Sequence, residues 1–383
     1  MYRHIIAVLL ILILTMICGG CWNLVEVNDT AIVAGMGVDV LDDEQIHLSV
    51  QVETASTIAE GEPLKPETVV LTGTGRTITE AARNITLIMP RIPLWSHAGS
   101  LVIGEQLARS DLARIIDFFA RNRNVRMDST MLVAKNARPD QVFSAQNPLT
   151  GCSARRLEDM LAFAEINRGN YVSVSIAEFI FKLSTPGIDP TLPMLTTVVS
   201  DSGPILKLHE TAVFRERRMV GVLNERESRG FRWLYPVKNV GGLLVVDMPQ
   251  GKGRVAFEPA KFTCRQTPRF QNGRVVMNIE INAMLNFYEQ QGDNKLIGLY
   301  QRQDLEIAAA REIRKEVRAC IDKAQSLNSD IMGWGQMVYR HHPSQWEKIQ
   351  GNWGQLYPQV KADIKVTCRV DRTNLSAHSF EFR

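Results

Sequence analysis

The 383-residue chain carries 44 Lys and Arg against 41 Asp and Glu, a formal net charge of +3, which gives it no general attraction to nucleic acid or acidic lipid. Its 45% hydrophobic and 22% charged content is that of an ordinary globular protein, and the length calls for at least two cores. After Ile17 no apolar run approaches the roughly 18 residues of a membrane-crossing helix, so the expectation is a mature chain that does not span a bilayer.

The chain opens with Met1-Tyr2-Arg3-His4, one fixed positive charge, and an apolar run from Ile5 to Leu14 that continues to Ile17. These are the n-region and h-region of a signal peptide. As a helix, residues 5–17 reach about 20 Å, short of a hydrocarbon core of roughly 30 Å. Cys18-Gly19-Gly20-Cys21 has the spacing of a redox pair, but the βαβ setting that lowers a thiol pKa is missing. Two glycines ahead of Cys21 instead give a peptidase a small, extended backbone. The stretch resembles a lipobox, which implies a signal peptide over residues 1–20 and lipidation of Cys21 at the mature N-terminus. Cys18 stands where lipoboxes usually carry leucine, a departure that bears on processing efficiency.

Ala31–Asp39 and the alternating Ile46–Val52 flank an acidic turn and read as a β-hairpin, with Val69–Thr74 a third strand. Thr77 and Glu80 stand in capping-box spacing and start a helix to about Ile88. Ser100–Ile103 is a short strand, Glu105–Ala120 a single amphipathic helix, and Thr130–Ala134 a strand. Helices are expected at Pro139–Ala145, Arg155–Glu165 and Val174–Leu183. Pro186, Pro190, Pro193 and Pro204 mark residues 185–204 as a linker.

Beyond it, Ala212–Phe214 and Met219–Leu223 are paired strands, and Asn224 with Glu227 caps a helix to about Leu234. Strands near 242–247 and 253–258 follow. Asn272-Gly273 turns a hairpin whose second strand alternates Met277, Ile279, Ile281, Ala283 and Leu285 with polar residues. One long helix runs from Gln301 to Leu327, and a strand over 360–370 closes the pattern. The fold class is α+β and multi-domain, with mixed or antiparallel sheets and packed helices: an N-terminal domain over 21–200 and a C-terminal domain over 205–383.

No diagnostic catalytic spacing occurs, neither H-E-x-x-H nor G-x-S-x-G nor a phosphate loop, so no catalytic, cofactor-binding or metal residue is assigned. The four cysteines outside the leader are Cys152, Cys264, Cys320 and Cys368. Cys320 lies on a helical apolar stripe and Cys368 on a strand's apolar face, so both read as buried hydrophobes, with neither disulfide nor metal expected. His341-His342 reads as a surface turn before Pro343, His97 as a hydrogen-bonded structural residue, and Arg121–Arg126, which has no interleaved aromatics, as a solvated loop.

Cys21-Trp22-Asn23-Leu24-Val25-Glu26-Val27-Asn28-Asp29 with Gly35-Met36-Gly37-Val38-Asp39 resembles the opening of the Ger(x)C lipoproteins, the C subunits of spore germinant receptors. Gly75-Arg76-Thr77-Ile78, Trp95-Ser96-His97, Ile103-Gly104-Glu105, Ala212-Val213-Phe214 and Asp330-Ile331-Met332-Gly333-Trp334-Gly335, with Pro343, Trp346 and Trp353, extend the likeness through both halves in order. The resemblance implies a non-enzymatic subunit without cofactor, lipid-anchored on the outer face of the inner spore membrane. Its implied partners are a polytopic A subunit and a transporter-like B subunit, with nucleic acid and direct nutrient binding not expected. The rival is a lipid-anchored nutrient-binding protein or hydrolase. A deep polar pocket would favour the rival, and a shallow surface with exposed apolar groups would favour docking.

Overall fold

The structure is a computed structural model that describes residues 2–7, 29–42, 44–54, 67–145, 152–201, 203–235, 240–247, 253–291 and 299–372. Thr30–Val40 (β1), Ser100–Gly104 (β5) and Thr130–Ala134 (β6) are buried along nearly their whole length. Strands buried on both faces belong in the middle of a sheet covered on both sides. They do lie there, in a mixed sheet ordered Glu67–Gly75 (β3), Ile46–Thr54 (β2), β1, β5, β6, Thr191–Ser200 (β7), Gly203–Arg215 (β8) and Arg218–Leu223 (β9), with Ile92–Leu94 (β4) paired to the start of β1. β2 and β3 extend it antiparallel from β1, while β5 and β6 run parallel to β1.

Thr191–Ser200 (β7) corrects the expected linker over 185–204. Its first five residues are buried, and it pairs with β6 at Met194 and Leu195 and antiparallel with Gly203–Arg215 (β8). Pro193 is accommodated where the β7–β8 register shifts, between Pro193 and Leu195, so it does not break the strand. Arg218–Leu223 (β9) completes the sheet, which therefore runs past the expected boundary at 204.

Helices cover both faces. Ile78–Thr86 (α1), Glu105–Arg109 (α2), Ala113–Arg121 (α3) and Ile176–Ser184 (α6) bury Ile85, Leu107, Ile115 and Phe179 on one side. Pro139–Ser144 (α4) and Ser153–Asn167 (α5) bury Phe143, Leu157 and Leu161 against Val102, Leu132 and Leu195 on the other. The single helix expected over 105–120 is two. Ser110 leaves helical geometry, and Asp111 and Leu112 take other partners instead: the Asp111 carboxylate accepts from Ala113 N, and Leu112 N donates to Arg217 O, far along the chain. Short polar side chains compete with the helix for backbone partners in this way.

The second core lies under the antiparallel hairpin Arg254–Gln271 (β11) and Arg274–Gln291 (β12), with Leu244–Asp247 (β10) on one edge and Lys361–Arg372 (β13), parallel to β12, on the other. Leu299–Ser326 (α8) lays Leu305, Ala309, Ile313, Val317, Ile321 and Ala324 on the sheet, a stripe at three- and four-residue spacing. Glu225–Leu234 (α7) packs on α8. Asn224 makes the expected reciprocal cap with Glu227. Residues 334–359, for which no elements were assigned from sequence, hold Trp334–His341 (α9), Pro343–Ile349 (α10) and Trp353–Leu356 (α11).

Candidate functional site

Part of the set that carried the family likeness, Phe214, Asp330–Gly335, Trp346 and Trp353, meets at the junction between the two sheets. After α8 the chain turns at Asp330, whose side chain is buried. Its Oδ1 accepts from Trp334 N at 2.9 Å, and its Oδ2 from Gly335 N at 2.8 Å and Trp353 Nε1 at 3.0 Å. The carboxylate thus satisfies the first amides of α9 while pinning α11. Burial pushes its pKa up to about 7, against the pull of these three donors.

Asp189, just before β7, meets it from the N-terminal half. Asp189 N donates to Asp330 O at 2.9 Å, and the Asp189 side chain accepts from Asp330 N at 2.8 Å and from Glu216 N at 2.9 Å. Gln336 N donates to Gly187 O at 3.0 Å, and Ser329 Oγ donates to Phe214 O. Gly187 sits at φ +78°, and a Cβ there would lie 2.6 Å from the Gly335 carbonyl carbon, so only glycine fits both the backbone and the space. Trp346 and Trp353 stack edge-to-face at 5.4 Å beside this knot.

A second set of contacts joins α5 and α6 to α7. Arg168 pairs with Glu225, and Arg232 NH2 lies 3.7 Å from Glu165. Buried Lys182 sits 3.1 Å from Glu178 and 4.6 Å from the Tyr235 ring centre, and Tyr235 donates to Glu178. Burial depresses the Lys182 pKa while Glu178 opposes the shift. The halves are therefore tied at two places.

Outward from this junction, α5 and β8 flank an open groove of about 530 Å³. Arg156, Met160, Phe163, Ala164 and Asn167 recur at three- and four-residue spacing along α5 and face Leu206, Lys207 and Leu208. Phe163 is 68% exposed, which is unusual for a large aromatic. The floor is apolar, and Arg156, Asp159 and Lys207 supply the charge. Buried Gln51 holds α4 and α5 in place behind the groove: it accepts from Ala154 N at 2.7 Å and donates to Phe143 O at 3.0 Å.

Cys21 and Cys18 lie outside the described residues. Cys152, Cys264, Cys320 and Cys368 are all unpaired thiols, and burial pushes Cys264 and Cys368 up to about 12. Among the described residues no cluster of three metal-ligating side chains occurs, and no helix is long and apolar enough to cross a membrane. His97 is exposed in a 3-10 turn, a correction to the hydrogen-bonded structural role expected of it. His341 and His342 diverge, to Met337 O and Pro268 O. Asp39, read from sequence as the end of a strand and as part of the family likeness but given no role, accepts from Leu107 N and Val40 N and sits opposite His47. The sequence signal for Asp330 was an acid four and five residues ahead of Trp334 and Gly335, the spacing at which its carboxylate meets their amides.

This arrangement is a two-sheet α+β fold shared with the crystal structure of the GerBC protein, which superposes with a TM-score of 0.58 at 18% identity over 88% of this chain and 96% of that one. Residues 23–197 match the family described as spore germination protein N-terminal domain, and residues 209–374 match the one described as spore germination B3/GerAC like, C-terminal. The chain belongs to this spore germination protein family. Its relatives include spore germination protein KC of Bacillus subtilis (strain 168), 25% identical over 98% of this chain and 97% of that protein. Spore germination protein B3 of the same organism is 22% identical over 92% and 93%.

Proposed function

We propose that this chain is a non-enzymatic, lipid-anchored subunit of a nutrient germinant receptor. It is attached through Cys21 on the outer face of the inner spore membrane and couples the nutrient signal by docking on the A and B membrane subunits. The observation that carries the docking role is the open α5–β8 groove, in which Phe163 stands exposed on an apolar floor. A deep pocket with convergent polar groups would have supported a nutrient-binding protein or hydrolase. A shallow apolar groove rimmed by charges of both signs suits a partner helix or strand instead.

The lengthwise match of the relatives, whose printed names all concern spore germination, supports the receptor assignment. A non-enzymatic role accords with how Asp330, Asp189 and Glu316 are used, since each is engaged by donors that hold elements together.

Cys21→Ala tests the anchor. Two acyl chains give stable attachment at about 0.8 kcal/mol per buried CH₂, where one is marginal. The variant is expected in the soluble fraction, with nutrient-triggered germination lost. If the variant stays on the membrane and germination persists, residues 5–17 are the anchor and Cys21 is not lipidated.

A further inference from the structure

Among the described residues, the outer positions of the second sheet's three long strands are exposed or half-exposed from 261 to 269, 278 to 284 and 361 to 369, and Val276 alone among them is buried. α8 covers the face that carries Met277, Ile279, Ile281, Ala283 and Leu285, and the residues between them point away from it. The register of β11, β12 and β13 arranges the outer residues in rows across the three strands: Arg269-Val276-Lys361, Thr267-Asn278-Asp363, Arg265-Glu280-Lys365, Thr263-Asn282-Thr367 and Lys261-Met284-Arg369. At about 4.8 Å between strands and about 6.7 Å between rows, this is a face roughly 10 Å by 27 Å.

Its charge is one-sided. Six cations stand in these rows against two carboxylates, Asp363 and Glu280, in a chain whose total is close to balance at 44 against 41. Arg269 pairs with Asp363, and Glu280 lies between Arg265 and Lys365. Lys261 and Arg369 stand two rows from Glu280, with Glu258 in the next row beyond them, Lys361 stands one row from the Asp363 that Arg269 holds, and all three cations are exposed.

We propose that this β11–β12–β13 face lies against the anionic headgroups of the membrane to which the chain is attached. The chemistry recognised is a planar array of lipid phosphates. A protein interface is centred on aromatic residues and is poor in lysine. The rows hold three lysines and no aromatic, so the face lacks such a centre, and also lacks the stacking platform that a single-stranded nucleic acid would use. Dispersed long cations suit a headgroup surface, where each adds attraction within a Debye length. Such attraction orients an anchored protein and adds little to its anchorage. The inference rests on the membrane attachment proposed above and deepens it by naming the side that faces the bilayer.

The test uses the full-length chain in vesicles of phosphatidylcholine, with and without phosphatidylglycerol. The acylation rates of Lys261, Lys361 and Lys365 are read by mass spectrometry, with exposed Lys348 on α10 as the off-face reference. Intact mass and flotation report attachment separately, so loss of the anchor and loss of the orientation are distinct results. The expected outcome is that the three lysines react about fivefold or more slowly on the anionic vesicles, that Lys348 does not change, and that raised salt removes the difference. In a Lys261→Glu/Arg369→Glu double variant that floats normally, Lys361 and Lys365 should lose that protection. Equal rates on both vesicles would overturn the proposal. So would protection in lipid-free detergent, which would place another protein molecule on this face.

Discussion

At the scale of single residues, one buried carboxylate after α8 joins α9 and α11. Asp330 accepts two amides and one indole N–H in a buried site. Asp330→Asn would turn an NH₂ toward one or more of those donors and leave them unsatisfied. A loss of about 2–4 kcal/mol is expected in urea unfolding, because each buried unsatisfied group costs about 1–3 kcal/mol. A value within 0.5 kcal/mol of wild type would mean that the junction is held elsewhere.

His47 gives a pH dependence. Its imidazole is buried, Nδ1 has no hydrogen-bond partner among the described residues, and desolvation lowers its pKa; Asp140 and Asp39 oppose the shift while Arg138 reinforces it. The folded pKa lies below the unfolded value near 6.5. Its stabilisation is therefore complete above about pH 6.5 and is lost as the pH falls toward the folded pKa, where the unfolded state binds the extra proton. His47→Gln should unfold with a shallower decline between pH 7 and pH 5 than wild type. Identical slopes would show that His47 is neutralised by its neighbours. The His47 strand position was legible from the alternation of residues 46–52. Its burial was not, because the covering Pro139–Ser144 helix comes from far along the chain.

Elements with a local cause were readable, and those with a distant cause were not. The caps at Thr77 and Asn224, the Asn272-Gly273 turn and the stripe of α8 all lie in short sequence windows, and each forms. At Thr77 the reciprocal half of the box is displaced by one residue, since Glu80 takes Arg76 N. β7 was missed because four prolines argued for a linker, while the burial of Thr191–Leu195 depends on pairing with β6 and β8. Limited proteolysis should spare 191–195; a first cut there would restore the linker. The short helices of 334–359 were hidden because tryptophans and glycines give no clear period, and their positions are set by Asp330. A close backbone approach at this scale is Gly187 on Gly335. Gly187→Ala combines a positive φ with a Cβ 2.6 Å from backbone, and an overpacked, strained site of this kind is expected to cost at least about 2 kcal/mol. Unchanged thermal unfolding would contradict the close packing.

Over the whole molecule, β8 and β9 belong to the first sheet while Val213 and Leu223 join the core of the second. The two cores thus share strands, and the Asp189–Asp330 knot and the α5–α7 ion pairs add to that coupling. The α+β class and the presence of two cores were visible in the sequence. The groove was not, because it requires α5 and β8, some 40 positions apart, to lie side by side. If the proposed docking takes place at the groove, it can be broken there without unfolding, because the lining Phe163 is exposed.

The direct measurement is affinity capture of the full-length chain from detergent-solubilised spore membranes, comparing wild type with Phe163→Asp. Phe163 is exposed, so the variant should match wild-type stability within about 0.5 kcal/mol. Wild type is expected to bring down the A and B receptor subunits, and Phe163→Asp to lose most of them while remaining on the membrane. Equal recovery by the two proteins would show that the groove is not the docking surface, and capture of neither subunit by wild type would contradict the receptor assignment itself.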